Sequence, residues 1–523
     1  MKINFSIISQ RLADNFGERE ALVNIERNRR YSFREFHLLT NQIVNMMRDT
    51  LDLRRGDHWV SILENDNSSL LHWFTAMKGE AAGCYTNYRD SLEDHTDQID
   101  TVDAKAVFIE AALLPTHYSM LRKRQLTIVS MDPPGDEYPG VHYFWDLLEG
   151  ASEDNPDVVH DDREDVIILR FTGGTTGRGK CAMYNVDNIL MCRDSFYALP
   201  DAQWSRDQRM LHLAPITHGS GMLYLPTLFK GGTTVTMNLP DLAAWCANIA
   251  AEKITTVMMV PTLLYRLLEL SEEGLGRLQT LESVYYGAAP MSPSKLRELR
   301  AALGNIFIQI YGSTENICTA LALTKLDHVA EGDGSHLASS GRPVPGVEVE
   351  LMDEAGQRVQ AGEIGEIWLR SRATCKGYFA NPEQTASEFK DGFWKSGDLA
   401  RADERGFIYI VDRKKDMIIT GGFNVYANEV ESALNSHPAV LMSAVIGIPH
   451  EEWGEAIHAE VTLKAGAMAA DEELIDHVKD QLGGYKAPKT VQIVDELPLS
   501  AVGKVLRRRV REKYWTSEER KVG

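Results

Sequence analysis

Phe171–Lys180 reads FTGGTTGRGK. From Gly174 to Lys180 it fits the G-x-x-x-x-G-K spacing of a nucleoside-triphosphate loop, yet Cys181 follows where that loop needs a Ser or Thr to ligate magnesium. Such a loop also runs from a strand through glycines into a helix whose N-terminus holds the phosphates. Here the incoming DVIILRF is a β-branched strand run, whereas the outgoing CAMYNVDN lacks a cap at the right place and alternates like a second strand. The sequence therefore predicts strand, glycine loop, strand. Thr172, Thr175 and Thr176 offer hydroxyls and adjacent N–H groups suited to a polyphosphate, and Lys180 offers charge. A Gly-Thr hairpin with no ligand is the bland alternative.

Outward from the loop, short apolar runs alternate with helical stretches. GDHWVSILEN reads as a strand and SSLLHWFTAMKGEAAG as a helix. AKAVFIE, QLTIVSM, TTVTMNL, ITTVMMV, LESVYYG and NIFIQIYG read as buried strands. Before them, the first 50 residues read as helix, a hairpin around RNRRYSF, and helix. This alternation predicts an α/β fold, a large N-terminal domain of parallel-rich sheets. From about residue 345, VEVELMDEAGQRV, GEIGEIWLR and GFIYIVDRKKDMIITGG are hairpin-like, which predicts a β-rich subdomain. After DRKKD (Asp412–Asp416) comes a small α+β tail with helices from NEVESALNSH and DEELIDHVKDQL. The expected division is 1–411, a hinge at 412–416, and a mobile C-terminal domain over 417–523. A surface turn is the equal alternative for the charged run.

Composition narrows the function classes. The 523 residues are 44% hydrophobic and 25% charged, which is ordinary for a globular enzyme. A net charge of −20 argues against nucleic-acid binding, and the basic LRRRVR run (Leu506–Arg511) reads as a charged helix face. Six scattered cysteines suggest neither zinc nor disulfides. No apolar run reaches the ~18 residues needed to span a membrane, and the N-terminus lacks a signal-peptide core, so a cytoplasmic enzyme is expected.

Several further segments then join the loop. YYGAAPM (Tyr285–Met291), IYGSTE (Ile310–Glu315), WKSGDL (Trp394–Leu399), DRKKDMIITGGFNVYANEVE and LSAVGKVLRR (Leu499–Arg508) follow in order. Together they resemble the adenylate-forming superfamily in its acyl-CoA synthetase branch, whose ATP loop commonly reads [Y/F]-T-S-G-T-T-G-x-P-K-G. This chain has Gly173 for the Ser, Gly179 for the Pro and Cys181 for the final Gly. The first change removes a hydroxyl and keeps the N–H; the other two are expected to alter loop stiffness.

The resemblance implies the chemistry. A carboxylic acid would be joined to AMP with loss of pyrophosphate, then passed to the thiol of CoA, which calls for cations and oriented donors placed in advance. By resemblance, Thr172, Gly173, Gly174, Thr175, Thr176, Gly177 and Lys180 hold the β and γ phosphates of ATP. Glu315 is the Mg²⁺ ligand, and Thr314, with Gly312 and Ser313, lies at the α-phosphate. Tyr311 stacks on adenine beside the Gly287, Ala288 and Ala289 backbone. Asp398 accepts the ribose hydroxyls and Arg413 approaches from the hinge. A Thr-Glu pair alone would more often cap a helix.

Lys504 is implied as the cation that meets the substrate carboxylate and α-phosphate. Rotation about Lys415 would withdraw it and bring Gly421 and Gly422 to line a pantetheine tunnel. His218 is implied beside the carboxylate, with Ser220, Met222, Tyr286, Gly287 and Ile310 lining the acyl pocket. Fatty, alicyclic and aromatic acids remain open as substrates, and a homodimer is left open. The alternatives are an adenylating enzyme that loads a carrier protein, an oxygen-using light-emitting relative, a phosphate-loop NTPase of a different class, and a catalytically dead binding protein.

Overall fold

The computed structural model describes residues 1–172, 179–238, 242–329, 334–500 and 504–515. The strand entering the loop, Val166–Phe171, pairs antiparallel with Cys181–Asn185, Phe171 opposite Cys181. The loop is thus flanked by strands, as the alternation of CAMYN predicts. The outgoing strand is covered on its other side: Phe379 N–H donates to Cys181 O at 2.7 Å and Lys376 N–H to Met183 O at 3.0 Å. An added chain segment satisfies what would otherwise be an open edge.

This pair ends a seven-stranded sheet whose remaining strands, Ala82–Tyr85, His58–Ile62, Ala104–Ile109, Thr127–Ser130 and Val141–Tyr143, all run parallel to Val166–Phe171. A nine-stranded sheet is parallel from Phe307–Tyr311 through Ser283–Gly287, Thr256–Met259, Arg209–His212 and Thr233–Thr236 to Glu20–Asn24. Period-2 alternation sorts each strand's side chains between two faces. Trp59, Phe108, Ile168, Met210, Tyr285 and Ile310 enter one large core shared by both sheets. Their neighbours split: Val60, Val107 and Leu169 join a cluster outside the seven-stranded sheet, and Leu211, Val284 and Tyr286 one outside the nine-stranded sheet.

The predicted helix after His58–Ile62 is broken. Asn65–Leu71 and Trp73–Lys78 are separate, because His72 adopts an extended ψ of 173°. The β-rich unit is a five-stranded sheet, with Val347–Met352, Ile364–Ser371, Phe393–Ala402 and Ile408–Arg413 joined antiparallel. Its Ile367, Leu369 and Trp394 pack into the large core.

Arg413 ends the last of these strands, a turn closes through Asp416 and Met417 N–H onto Arg413 O, and Ile418–Thr420 opens a different sheet. That second unit holds the Val440–His450 and Gly454–Leu463 hairpin under the Ala427–Asn435 and Asp471–Leu482 helices, around its own core. The DRKKD run therefore ends one sheet with Asp412 and Arg413, and its Lys414, Lys415 and Asp416 begin the connection to the next. The LRRRVR run corrects the expected charged face: Arg507 and Arg511 turn inward, leaving Arg508 and Arg509 exposed. Among the described residues no helix is long and apolar enough to cross a membrane.

Candidate active site

The neck of the glycine loop is closed by two bonds: Thr172 N–H to Lys180 O at 2.8 Å and Lys180 N–H to Thr172 Oγ1 at 3.2 Å. A Cβ on Gly179 would sit 2.7 Å from Thr172 O, so the neck as built excludes a side chain there. Gly173, Gly174, Thr175, Thr176 and Gly177 lie outside the described residues. Strand alternation separates the next two positions. The Cys181 thiol is buried against the outer cluster with Cys84 and Leu169, while Lys180 turns to the opposite side. Cys181 thus belongs to the strand and its packing, which corrects the expectation that it tunes loop stiffness.

Lys180 Nζ lies 2.7 Å from Glu388 Oε1 and 3.9 Å from Glu315 Oε1. Tyr378 hydroxyl, under the same ammonium, donates to Glu315 Oε1 at 2.9 Å and is also hydrogen-bonded to Glu388. Burial pushes the Glu315 carboxyl upward in pKa, and the Lys180 charge opposes that shift. Sequence reading missed Glu388 and Tyr378. No spacing rule links Lys180 to a carboxylate 208 residues on, and Glu388 ends a short helix, Pro382–Glu388, of ordinary composition.

The YGSTE segment leaves its strand as an irregular turn, so Thr314 and Glu315 cap no helix. Ala320 N–H returns to Tyr311 O at 2.8 Å, and Cys375 N–H donates to Glu315 O at 2.8 Å. A Cβ on Gly312 would meet Cys318 O at 2.3 Å, which is why glycine is required at this reversal. Tyr184 hydroxyl donates to Thr314 O at 2.5 Å, and Asn316 N–H to Ser313 Oγ at 3.0 Å. Beside this turn, Gly287 meets the same constraint, with Ile310 O 2.2 Å from where its Cβ would be, and Ala288 holds φ at +64°.

Asp398 faces Tyr311. The Tyr311 hydroxyl donates to Asp398 Oδ2 at 2.7 Å, and Arg413 Nε lies 3.4 Å from Oδ1. Strand pairing sets this, since Asp398 is in register with Arg413. Lys504 arrives from the second unit. Its ammonium is buried within the fields of Arg413, which disfavours its charge, and Asp398, which favours it. With burial the dominant cause, its pKa falls to about 8.

Arg507, three residues on from Lys504 and the first residue of the Arg507–Arg511 helix, anchors that segment. Its guanidinium pairs with Asp412 at 3.1 Å and Glu431 at 2.5 Å, and bonds Asn428. Asp412 and Arg507 lie in the DRKKD and LRRRVR runs, but no pattern in the chain announces their pairing. Lys415 lies in the connecting turn, where burial lowers its pKa. Gly421 and Gly422 stand apart from this cluster. They form the exposed turn of the Ile418–Thr420 to Phe423–Val425 hairpin at φ +56° and +83°, and Gly421 N–H bonds Trp453 O at 2.9 Å.

Of the expected acyl-pocket residues, Ser220, Met222 and Ile310 are buried on the side of the central core, and His218 leads into their turn, Gly219–Leu223. Ser220 Oγ and His212 Nδ1 are hydrogen-bonded at 2.8 Å. Burial, assisted by Arg170, pushes His218 down to about 3, so its imidazole is neutral. Tyr286 is a correction. Alternation puts it on the far face of its strand, where its hydroxyl bonds His328 Nε2 at 2.8 Å and Gln309 Oε1 at 3.2 Å. Tyr285 is the tyrosine of this pair that faces the central core, against Phe196 and Trp204.

Among the described residues, one carboxylate trio, Glu64, Asp66 and Glu110, has metal-like spacing. Arg27 already fills it, paired with Asp66, Glu110 and Asp132.

With this geometry in view, residues 9–379 match the family model described as AMP-binding enzyme, and residues 429–504 match the AMP-binding enzyme C-terminal domain. A medium/long-chain fatty-acid–CoA ligase of Mycobacterium tuberculosis is 38% identical, covering 83% of this chain and 77% of its own. A feruloyl-CoA synthase of an Amycolatopsis species is 37% identical over 70% of this chain and 73% of its own. The crystal structure of ATP-bound MatB from Rhodopseudomonas palustris superposes with a TM-score of 0.86 at 28% identity, covering 98% of this chain and 99% of that one.

Proposed function

This chain belongs to the AMP-binding family of adenylate-forming enzymes, and from that premise we propose that it is an AMP-forming carboxylic acid–CoA ligase. ATP binding and a carboxylate substrate follow from the family. The acid, the CoA acceptor and the residue roles are our reading. The observation that carries it is the meeting of Lys504, from the second unit, with Asp398 and Arg413 of the first.

In the reaction so read, Lys180 and the loop orient the polyphosphate end of ATP, and Asp398 receives the ribose once Tyr311 and Arg413 yield its oxygens. The substrate carboxylate attacks the α-phosphorus and pyrophosphate leaves. The Lys504 ammonium stabilises the charge that grows on the carboxylate and α-phosphoryl oxygens, a task for a preplaced cation in a water-poor site. Neutral His218 positions the acid by hydrogen bonding without adding charge. The thiol sulfur then attacks the acyl carbon, AMP leaves and the thiol proton passes to solvent. The turn around Lys415 is read as the hinge that withdraws Lys504 and presents Gly421 and Gly422 to the thiol arm.

Glu315 fits a Mg²⁺ ligand. It is a hard carboxylate beside the loop with one oxygen engaged by Tyr378, and the bound ion would neutralise phosphate charge there.

Pyrophosphate release is measured across fatty, alicyclic and aromatic acids, with and without CoA. The reading requires acid-dependent pyrophosphate and CoA-dependent AMP release and thioester. Thioester formed on a carrier protein while CoA is inert would reassign the acceptor. ADP and orthophosphate as products would overturn the reading.

A further inference from the structure

Arg170 is a buried cation with no counter-ion among the described residues. It lies two residues before Thr172 in the Val166–Phe171 strand and is 6% exposed. Its register partners are Tyr85 and Ala182, both members of the central core. Register partners share a face of the sheet, so the guanidinium enters that core. There its field reaches Tyr184, Cys192, His72 and His218. Its Nε has no hydrogen-bond partner, and among the described residues no carboxylate pairs with it.

Three other interior cations, unlike Lys295 beside Lys464, have partners. Lys78 donates to Thr40 Oγ1 at 2.8 Å and His37 O at 3.2 Å, and Arg27 and Arg507 each hold several acids. An uncompensated buried guanidinium is costly to keep.

A second buried group points the same way. His72 is 1% exposed, and among the described residues its ring has no side-chain hydrogen-bond partner, only a backbone contact at Gly221. It lies directly under the acyl-pocket turn, because a Cβ on Gly221 would stand 2.7 Å from His72 Nε2. Arg170 and His72 thus gather poorly satisfied polar groups beneath Gly219–Leu223, the turn that His218 leads into.

We propose that Arg170 and His72 form a polar end to the acyl pocket that takes a second carboxylate of the substrate, making the preferred acid a diacid. This rests on the ligase reading above. A carboxylate matches the fork of a guanidinium with two parallel hydrogen bonds, and it supplies the missing charge. The field of Arg170 reaches His218, which is read as lying beside the reacting carboxylate. The two carboxylates are accordingly joined by a short chain or a single ring, not by a long alkyl tail.

The test uses matched pairs: straight-chain monoacids and diacids of equal length from four to eight carbons, and benzoic with phthalic acids. Initial pyrophosphate release gives kcat/KM for each. At least one diacid should exceed its monoacid by 100-fold or more. In Arg170→Gln that ratio should fall below tenfold through the KM of the diacid. Should Arg170→Gln not fold, Arg170→Lys, which keeps charge and loses the fork, should give an intermediate ratio. Monoacids preferred in every pair by the unaltered enzyme would overturn the proposal whatever the variants do. So would a diacid preference that Arg170→Gln or Arg170→Lys leaves unchanged. No pyrophosphate from any acid, including long-chain and aromatic monoacids run alongside, would remove the ligase reading itself and the subsite with it.

Discussion

The ammonium of Lys180 rests 2.7 Å from Glu388, in a carboxylate clasp that Tyr378 shares with Glu315. On the proposed reading, Lys180 at the end of the glycine loop is therefore already neutralised before a nucleotide arrives, and the phosphates must take it from Glu388. Glu388→Gln should lower the KM for ATP by a fewfold. A partly exposed ion pair of this kind is worth at most about 1 kcal/mol, or roughly fivefold in affinity. Steady-state pyrophosphate release with ATP varied checks this, and a raised KM would show that Glu388 assists ATP instead of competing with it.

Lys504 has its pKa pushed down to about 8 by burial and by Arg413. In the proposed mechanism its charged form is the one that serves adenylation, and that form is lost as pH rises through 8. The kcat/KM for acid-dependent pyrophosphate release should therefore descend above pH about 8. Lys504→Arg, which stays charged, should retain a lower rate without that descent. The stability effect has the opposite sign. Between pH about 8 and the ordinary lysine value of 10.5, the unfolded chain binds the extra proton, so this group makes the folded protein more stable as pH rises.

Separating the half-reactions gives a sharper check on the same residue. Lys504→Ala should abolish adenylate formation while preformed acyl-adenylate still yields thioester at a rate within about threefold of the unaltered enzyme, well under 1 kcal/mol. Equal loss in both steps would remove the role assigned to Lys504.

Lys415 makes the converse prediction. Proline fixes φ and constrains the residue before it, so Lys415→Pro should stiffen the turn between the two sheets. Single-turnover thioester formation should slow by tenfold or more with adenylation less affected, about 1.4 kcal/mol on one barrier. An unchanged thioester rate would count against the hinge.

Arg507→Met should destabilise the second unit strongly, because it leaves the buried carboxylates of Asp412 and Glu431 without their cation. Breaking a buried ion pair from one side costs about 3–5 kcal/mol, against about 0.5 kcal/mol or less for exposed Arg508→Ala. Thermal and urea unfolding of the two variants measure the difference. Equal midpoints would mean that the network contributes little.

Local rules in the chain determined much of this protein. Period-2 apolar runs fixed the parallel strands, and the absence of a helix start after Lys180 already told a glycine hairpin from a helix-borne phosphate loop. The order of the motifs marked Glu315, Asp398, Arg413 and Lys504, and the last three do converge. Where the reading failed, a local rule met a choice made elsewhere in the molecule. Tyr285 and Tyr286 are equivalent as residue types, and only the packing of the nine-stranded sheet decides which faces the central core. His72 reads as mid-helix, but its extended backbone breaks the helix in two. Only the tertiary structure brought Glu388 to Lys180 and Arg507 to Asp412, across 208 and 95 residues, because attraction between charges depends on distance in space and leaves no periodic trace in the chain. It also left Arg170 facing a core with no acid in reach among the described residues, a feature that sequence alone shows only as one arginine in an apolar strand.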